Sequence, residues 1–133
     1  MKELVLFYSY SGHTKKIAEN FGREKNFDVR EVCDIKRPGK LFVFTAGIIK
    51  SLKGSSRQIK PLNFEGYDVI NIFAPIWAGH PTPSINGALK LIPKGMKVKL
   101  FMVSTSKESS QNTILKRVRA SGLDVIGYED IKS

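Results

Sequence analysis

A loop rich in small hydroxyl side chains follows the first apolar segment of the chain, and its residue types suit an anion. The segment Ser9-Tyr10-Ser11-Gly12-His13-Thr14 contains two serines, a threonine, one glycine and no acidic residue. Helix-forming sequence follows it, so backbone N–H groups at the start of that helix would point at whatever the loop encloses. The helix dipole favours an anion there, and Gly12 permits close approach of the backbone. We therefore predict an anion-binding loop, the alternative being a helix N-cap with incidental serines.

Other phosphate and metal motifs fit the chain less well. It contains neither G-x-x-x-x-G-K-[ST] nor G-x-G-x-x-G, so the P-loop and dinucleotide fingerprints are not met. Gly39 stands six positions after Cys33, where a cysteine phosphatase signature has arginine. One cysteine and two histidines do not supply the ligands of a structural zinc site, and we expect no metal.

A second loop surrounds the single tryptophan of the sequence. It reads Ala74-Pro75-Ile76-Trp77-Ala78-Gly79-His80-Pro81-Thr82-Pro83 and follows an apolar run. A tryptophan is costly to leave in water, and its flat face suits stacking on a planar ring. An anion loop and an aromatic plate together predict a nucleotide-like ligand with a flat heterocycle. His80 titrates near neutral pH, so it either donates a proton beside that ring or packs within its turn.

The elements that position these loops alternate between strand and helix. Apolar and alternating runs predict strands at Leu4–Tyr8, Phe27–Val32, Asp68–Ala74, Val98–Val103 and Leu123–Tyr128, and helical spacing predicts helices at Thr14–Arg23, Leu41–Leu52, Ser84–Ile92 and Asn112–Ala120. This alternation predicts an α/β fold with a doubly wound, five-stranded parallel sheet. Ligands of such sheets bind beyond the carboxyl ends of the strands, which selects the loops Ser9–Thr14, Pro75–Pro83 and Ser104–Asn112. With 133 residues and no repeat or linker, residues 1–133 are expected to form a single domain.

The charge balance points to anionic partners. The formal net charge is +10, and acidic residues are absent from Ile35 to Phe64 and from Val69 to Lys107. Such a balance suits nucleic acid, phosphorylated ligands or an acidic protein, unless it only keeps the surface solvated. No apolar stretch reaches the length of about 18 residues that a membrane span needs, and no secretion signal begins the chain. We expect a cytoplasmic protein with no membrane partner.

Two of these loops resemble those of the flavodoxin family. The first resembles the [ST]-x-[ST]-G-x-T phosphate loop at Ser9, Ser11, Gly12 and Thr14, and YDVINIFAPIWAGHPTPSINGAL resembles the family's third strand and flavin-stacking loop. The resemblance implies the strand order 2-1-3-4-5 and FMN as cofactor. It places the FMN phosphate at Ser9, Tyr10, Ser11, Gly12, His13 and Thr14, the flavin ring at Pro75, Ile76, Trp77, Ala78 and Gly79, and the ring edge at Ser104, Thr105 and Ser106. The third loop departs from the family, since many members have a stacking tyrosine there.

The resemblance implies a flavoprotein that transfers electrons through bound FMN. A small oxidoreductase that passes electrons from NAD(P)H to a quinone is the alternative within this class, and the electron carrier is favoured over the enzyme because the chain is short. The charge suggests a redox partner of anionic character, either a protein or a small acceptor. An alternative from another class is a flavodoxin-fold binding or regulatory module with a basic surface that faces nucleic acid. Only the charge of the chain supports this alternative.

Two further expectations follow from the chain's last segment and from its lysines. The family usually adds a final helix beside the first, whereas only Glu129 to Ser133 follow the last predicted strand. The apolar run Val98–Val103 would then be bare on that face, which predicts a homodimer or a partner that covers it. The lysines of the acid-free stretch are expected to raise the flavin's potential; they are Lys90, Lys94, Lys97, Lys99 and Lys107.

Overall fold

The computed structural model describes residues 2–9, 12–33, 62–77, 80–81, 83–104 and 109–132. Its elements are β1 (Glu3–Phe7), α1 (His13–Lys25), β2 (Asp28–Glu31), β3 (Val69–Trp77), β4 (His80–Pro81), α2 (Pro83–Leu91), β5 (Lys97–Ser104), α3 (Gln111–Ala120) and β6 (Asp124–Lys132). These elements match the predicted ones closely, except that β3 and β6 extend beyond their predicted ends and that β4 lies in a segment predicted as a loop. The helix predicted at Leu41–Leu52 lies outside the described residues. No helix in the described ranges has both the length and the apolar character that crossing a bilayer requires.

The sheet has the predicted topology. Five strands run parallel in the order β2-β1-β3-β5-β6, and the two-residue β4 pairs antiparallel with the end of β3. With β4 set aside, this is the order 2-1-3-4-5. After β1 the chain moves outward to β2, and β3 then returns to the other side of β1. The strand order therefore reverses between β1 and β3.

Helices cover the sheet on both faces, which explains the continuous apolar runs of its central strands. On one face, Leu4 and Leu6 of β1 pack in a cluster that also contains Ile85 of α2 and Ile114 of α3. On the other face lies a second cluster, formed by Val5, Phe7, Ala18, Phe73, Phe101 and Val103. Alternate residues of β1 thus serve opposite layers, as a strand in the middle of a three-layer fold requires.

Three phenylalanines join α1 to the centre of the sheet. The rings of Phe73 and Phe101 stack with centroids 4.4 Å apart, and Phe21 of α1 tilts against both at 5.2 Å. This contact corrects the expectation of a bare apolar face beside α1, because Phe101 is only 9% exposed and Val103 only 4%. The homodimer remains a prediction, but exposed apolar residues of β5 no longer support it.

Polar side chains occupy the amino half of the same face. Lys99 neighbours the buried Asn71 in the strand register, and its Nζ lies 3.9 Å from Glu3 Oε1. The Asn71 side-chain N–H also donates to Glu3 Oε1 at 3.1 Å. The amino half of this face is therefore better suited to water than to an apolar partner.

Candidate functional site at the carboxyl edge of the sheet

The site begins where the strand order reverses. Phe7, the last residue of β1, lies beside Phe73 in the register, and β3 continues four residues further to Trp77. The chain leaves β1 toward β2, whereas β5 lies on the opposite side of β3. Connections that diverge from neighbouring parallel strands leave a crevice between them, which is the usual ligand position in this class of sheet.

The first loop closes on itself at the mouth of this crevice. Ser9 is only 6% exposed, and its Oγ accepts a 2.9 Å hydrogen bond from the Gly12 N–H. Gly12 is the N-cap of α1 and has φ +102°, a backbone conformation that side-chain-bearing residues rarely adopt. A Cβ placed on Gly12 would meet nothing within 4 Å, so the demand for glycine here comes from the backbone and not from crowding.

The start of α1 offers hydrogen-bond donors that the helix itself does not use. Its first intrahelical bond runs from the Lys16 N–H to the Gly12 carbonyl at 3.2 Å. The N–H groups of His13, Thr14 and Lys15 therefore have no carbonyl partner within the helix. No acidic residue occupies the first turn, and Thr14 is only 3% exposed. Two buried hydroxyl residues and three helical N–H groups form a donor set suited to an anion; Tyr10 and Ser11 lie outside the described residues.

The second predicted loop is largely strand. Pro75, Ile76 and Trp77 belong to β3, because each of them pairs with a neighbouring strand. Pro75 lies beside Val103 in the register with β5, while β4 pairs antiparallel with the strand's last two residues. In that pairing Ile76 lies opposite Pro81 and Trp77 opposite His80. Only Ala78 and Gly79 separate the two strands in the sequence, and both lie outside the described residues.

The third loop leaves β5 at Ser104, which lies beside Lys132 in the register with β6. Thr105 and Ser106 are outside the described residues. Sequence reasoning missed three residues at this edge, where Ser109 contacts Tyr128 and Asp130 of β6 through hydrogen bonds. Burial raises the pKa of the Tyr128 hydroxyl, an effect that the Ser109 hydrogen bond opposes and the Asp130 carboxylate increases.

The lysines expected to act on a flavin lie mostly elsewhere. Lys97 begins β5 and Ser104 ends it, so the two are about 23 Å apart at the rise of a parallel strand. Lys90 lies in the last turn of α2 and Lys94 precedes β5, at the same amino edge. The Debye length is about 8 Å at physiological ionic strength, so charges at this distance act weakly. These three lysines therefore lie too far from the carboxyl edge to act strongly on a ligand bound there; Lys107 lies outside the described residues.

The amino ends of helices are a nearer source of positive charge at the carboxyl edge. Helices α1, α2 and α3 begin at this edge, and none has an acidic residue in its first turn. Acidic residues are usual there, because they neutralise the positive end of the helix dipole. Lys15 and Lys16, both exposed, add charge at the first turn of α1. The amino ends of α1 and α2 and these lysines therefore favour an anion, whereas Asp130 places a carboxylate beside the start of α3.

Comparisons with known proteins agree with this fold. No family model matches the chain, and no curated protein is significantly similar to it in sequence. Among solved structures it resembles a flavoprotein from Lactobacillus acidophilus NCFM, crystallised with FMN, at 26% identity and a TM-score of 0.75, over 97% of this chain and 92% of that one. A protein of Bacteroides uniformis ATCC 8492 assigned as a flavoprotein aligns at 20% identity and a TM-score of 0.84, over 99% and 90% of the two chains. Two-electron reduced flavodoxin from Megasphaera elsdenii aligns at 18% identity and a TM-score of 0.55, over 97% and 85%.

The topology and these neighbours define the fold class of the protein. The chain has the flavodoxin-like fold, with its sheet order and its reversal point between β1 and β3. The structural neighbours are flavoproteins and flavodoxins, one of them in complex with FMN.

Proposed function

We propose that this chain binds FMN and that the bound flavin transfers electrons. The observation that carries the proposal is the donor set at the reversal point, where the buried Ser9 and Thr14 lie beside N–H groups of α1 that have no acceptor within the helix. A phosphate monoester carries up to two negative charges and accepts several hydrogen bonds at once. The crystallised complex of the Lactobacillus flavoprotein with FMN supports the same ligand.

The residues at this loop fit a phosphate better than a carboxylate-bearing or neutral ligand. No acidic residue occurs from Leu4 to Ala18, so nothing in the loop's own sequence repels a dianion. The Gly12 N–H is held by Ser9 Oγ, which fixes the turn before any ligand arrives. Preorganised donors lose little entropy on binding, which is how such loops achieve affinity.

For the flavin ring we propose the end of β3 and its connection to β4. Trp77 would stack on one face of the ring, with Pro75 and Ile76 beside it, and the backbone of Ala78 and Gly79 would bond the ring edge. Ser104, Thr105 and Ser106 would make polar contacts from the third loop. The pairing of β3 with β4 supports this assignment, because it involves the part of β3 that extends beyond the last residue of β1 at the carboxyl edge.

The bound flavin would supply one- and two-electron chemistry, while the chain supplies binding, orientation and electrostatics. Ser9, Thr14 and the α1 amino end would hold the phosphate, and Trp77 would exclude water from one ring face. His80, opposite Trp77 in the strand register, would hold a proton near the ring. An electropositive carboxyl edge would favour an acceptor of anionic character, either a protein or a small molecule.

One experiment tests first the binding of FMN and then the redox role of the bound flavin. Purified protein is titrated with FMN while flavin fluorescence is followed; micromolar or tighter binding supports the cofactor. The FMN-loaded protein is then reduced by dithionite and mixed with ferricyanide, and separately supplied with NADH or NADPH and menadione. Rapid oxidation by ferricyanide without nicotinamide consumption supports an electron carrier, whereas turnover of nicotinamide supports the oxidoreductase. Absence of flavin binding would reject both.

A further inference from the structure

An open groove lies at the amino edge of the sheet, at the opposite end of the strands from the site described above. Its volume is about 540 Å³, and its apolar lining consists of Leu62, Phe64, Tyr67, Leu91, Pro93 and Met96. Leu91 is 48% exposed, more than any other large apolar side chain in the described ranges. A second depression of about 380 Å³ adjoins the groove at Pro93 and Met96, and Lys94 and Lys97 line it. An accessible apolar floor therefore leads to two lysines.

Hydrogen bonds hold both walls of the groove in place. On one wall the Tyr67 hydroxyl donates to Asp28 Oδ2 of β2 at 2.7 Å. On the other wall the Met96 carbonyl accepts from the Asp124 N–H at 2.9 Å, which joins this wall to the start of β6. A groove whose walls are fixed to strands loses little conformational entropy when it is occupied.

One wall of the groove is cationic. Lys94 and Lys97 are exposed, and residues 69–107, among which both lie, contain no carboxylate. Asp124 of β6 neighbours Lys97 in the strand register, so Lys94 is the residue that tests this positive charge most cleanly. This wall therefore favours carboxylates on whatever occupies the groove.

The facing wall is mixed in charge. It carries the exposed carboxylates of Glu65 and Asp68. Two cations lie against its Tyr67 ring, with Lys2 Nζ 4.9 Å and Arg30 Cζ 5.6 Å from the ring centroid. An occupant must therefore carry its negative charge on one side and not along its whole length.

These features select a protein segment over other anionic partners. A concave apolar floor takes up a protruding apolar side chain, which a phosphate backbone and a layer of lipid headgroups lack. A polyanion that spans both walls would also meet Glu65 and Asp68. A protein segment can place its carboxylates on the lysine wall alone.

We infer that this groove docks an acidic segment of a partner protein: one large apolar side chain enters against Leu91, Pro93 and Met96, and neighbouring carboxylates lie along Lys94 and Lys97. The inference does not depend on the proposed function. Lys97 and Ser104 stand at opposite ends of β5, about 23 Å apart, so a segment in the groove leaves the carboxyl edge open. A contact of this size is typical of a transient complex.

The experiment selects a random-peptide phage library against the full chain and measures the enriched peptides, labelled with a fluorophore, by fluorescence polarisation. We expect these peptides to contain one large apolar residue with aspartate or glutamate on one side of it. Leu91→Ser should weaken them by about threefold to tenfold, because the exposed half of a leucine is then no longer there to be buried. Lys94→Gln should weaken them by about twofold to fivefold, with a loss that shrinks as the salt concentration rises.

Two matched variants control for general effects of a surface change. Ile126→Ser replaces an apolar side chain on β6 that is 45% exposed, and Lys25→Gln removes an exposed lysine in the last turn of α1, on the other face of the sheet. Neither residue lines the groove, so both variants should bind the peptides as wild type does. Melting temperatures of all four variants, measured alongside, identify any loss that comes from unfolding.

Four results would overturn the inference. Selection that enriches no acidic, apolar peptide would do so, as would peptides whose binding ignores both Leu91→Ser and Lys94→Gln. Tighter binding of single-stranded DNA or of phosphatidylglycerol vesicles, lost in Lys94→Gln, would assign the surface to a polyanion. A wild-type dimer in sedimentation that Leu91→Ser dissociates would assign the groove to a second copy of the chain.

Discussion

The hydroxyl of Thr14 offers a sharp test of the phosphate loop. Thr14→Val removes that hydroxyl and keeps the branched shape, so the buried position is neither emptied nor overfilled. A hydrogen bond to a charged group contributes about 1.5 to 3 kcal/mol. We therefore expect the dissociation constant of FMN to rise by roughly 10- to 150-fold. The dissociation constant of riboflavin should stay within a factor of about two of the wild-type value, whereas a loss of about 1.4 kcal/mol would raise it tenfold.

Flavin fluorescence titrations of four proteins measure this effect. Thr14→Val and Thr14→Ser are compared with wild type and with Thr113→Val, which changes an exposed threonine in the first turn of α3. Thr14→Ser keeps the hydroxyl and should bind FMN close to the wild-type level, while Thr113→Val should not differ from wild type. Equal losses of FMN and riboflavin in Thr14→Val would refute the assignment, because they would place Thr14 against the ring or in the fold alone.

Three further outcomes follow from the structure and the proposal. Trp77→Ala should weaken FMN by about 1 to 3 kcal/mol and restore much of the quenched flavin fluorescence, by analogy with base–aromatic stacking; unchanged fluorescence would remove Trp77 from the site. Gly22→Ala should destabilise the fold by about 1 kcal/mol in urea unfolding, because the new Cβ would overlap Val29 Cγ2 and this clash outweighs the gain in helix propensity. In a Val29→Ala background, where the clashing atom is absent, the same change should be neutral or stabilising. Lys97→Gln should leave the flavin's reduction potential almost unchanged, since a charge about 23 Å away contributes less than about 0.2 kcal/mol even in unscreened water. Lys15→Gln should lower the potential by an amount that shrinks as the salt concentration rises. A larger effect of Lys97→Gln than of Lys15→Gln in potentiometry would contradict the placement of these charges.

The sheet and the first loop were predictable from sequence because their signals are local. The run Leu4–Tyr8 is apolar on both faces, which only a strand covered by helices on each side requires, and the structure confirms such a strand at Glu3–Phe7. Gly12 and the hydroxyl residues around it predicted a loop before the first helix, and the structure begins α1 directly after Gly12, whose φ is +102°. Alternation of strands and helices predicted the parallel, doubly wound sheet, and the resemblance to the flavodoxin family then implied its strand order.

The longer strands were not predictable, because their signals contradict strand rules. Prolines at positions 75, 81 and 83 indicate a loop, yet β3 runs through Pro75 and pairs with a strand that contains Pro81. Polar residues after Tyr128 suggested that the last strand ends there, yet β6 continues to Lys132. Polar residues are tolerated in β6 because it lies at the edge of the sheet, where one side meets water. The contact of Ser109 with Asp130 depends on that extension, so the sequence could not reveal it.

The most direct measurement of the central claim follows backbone amides by ¹H–¹⁵N NMR during addition of ligand. If the phosphate lies at the amino end of α1, FMN should shift the amides of Gly12, His13 and Thr14 strongly, and riboflavin should shift them far less. Both ligands should perturb the amides around Trp77 alike, since both carry the ring. Equal shifts of the α1 amides with FMN and riboflavin, or none with either, would contradict a phosphate site at this helix.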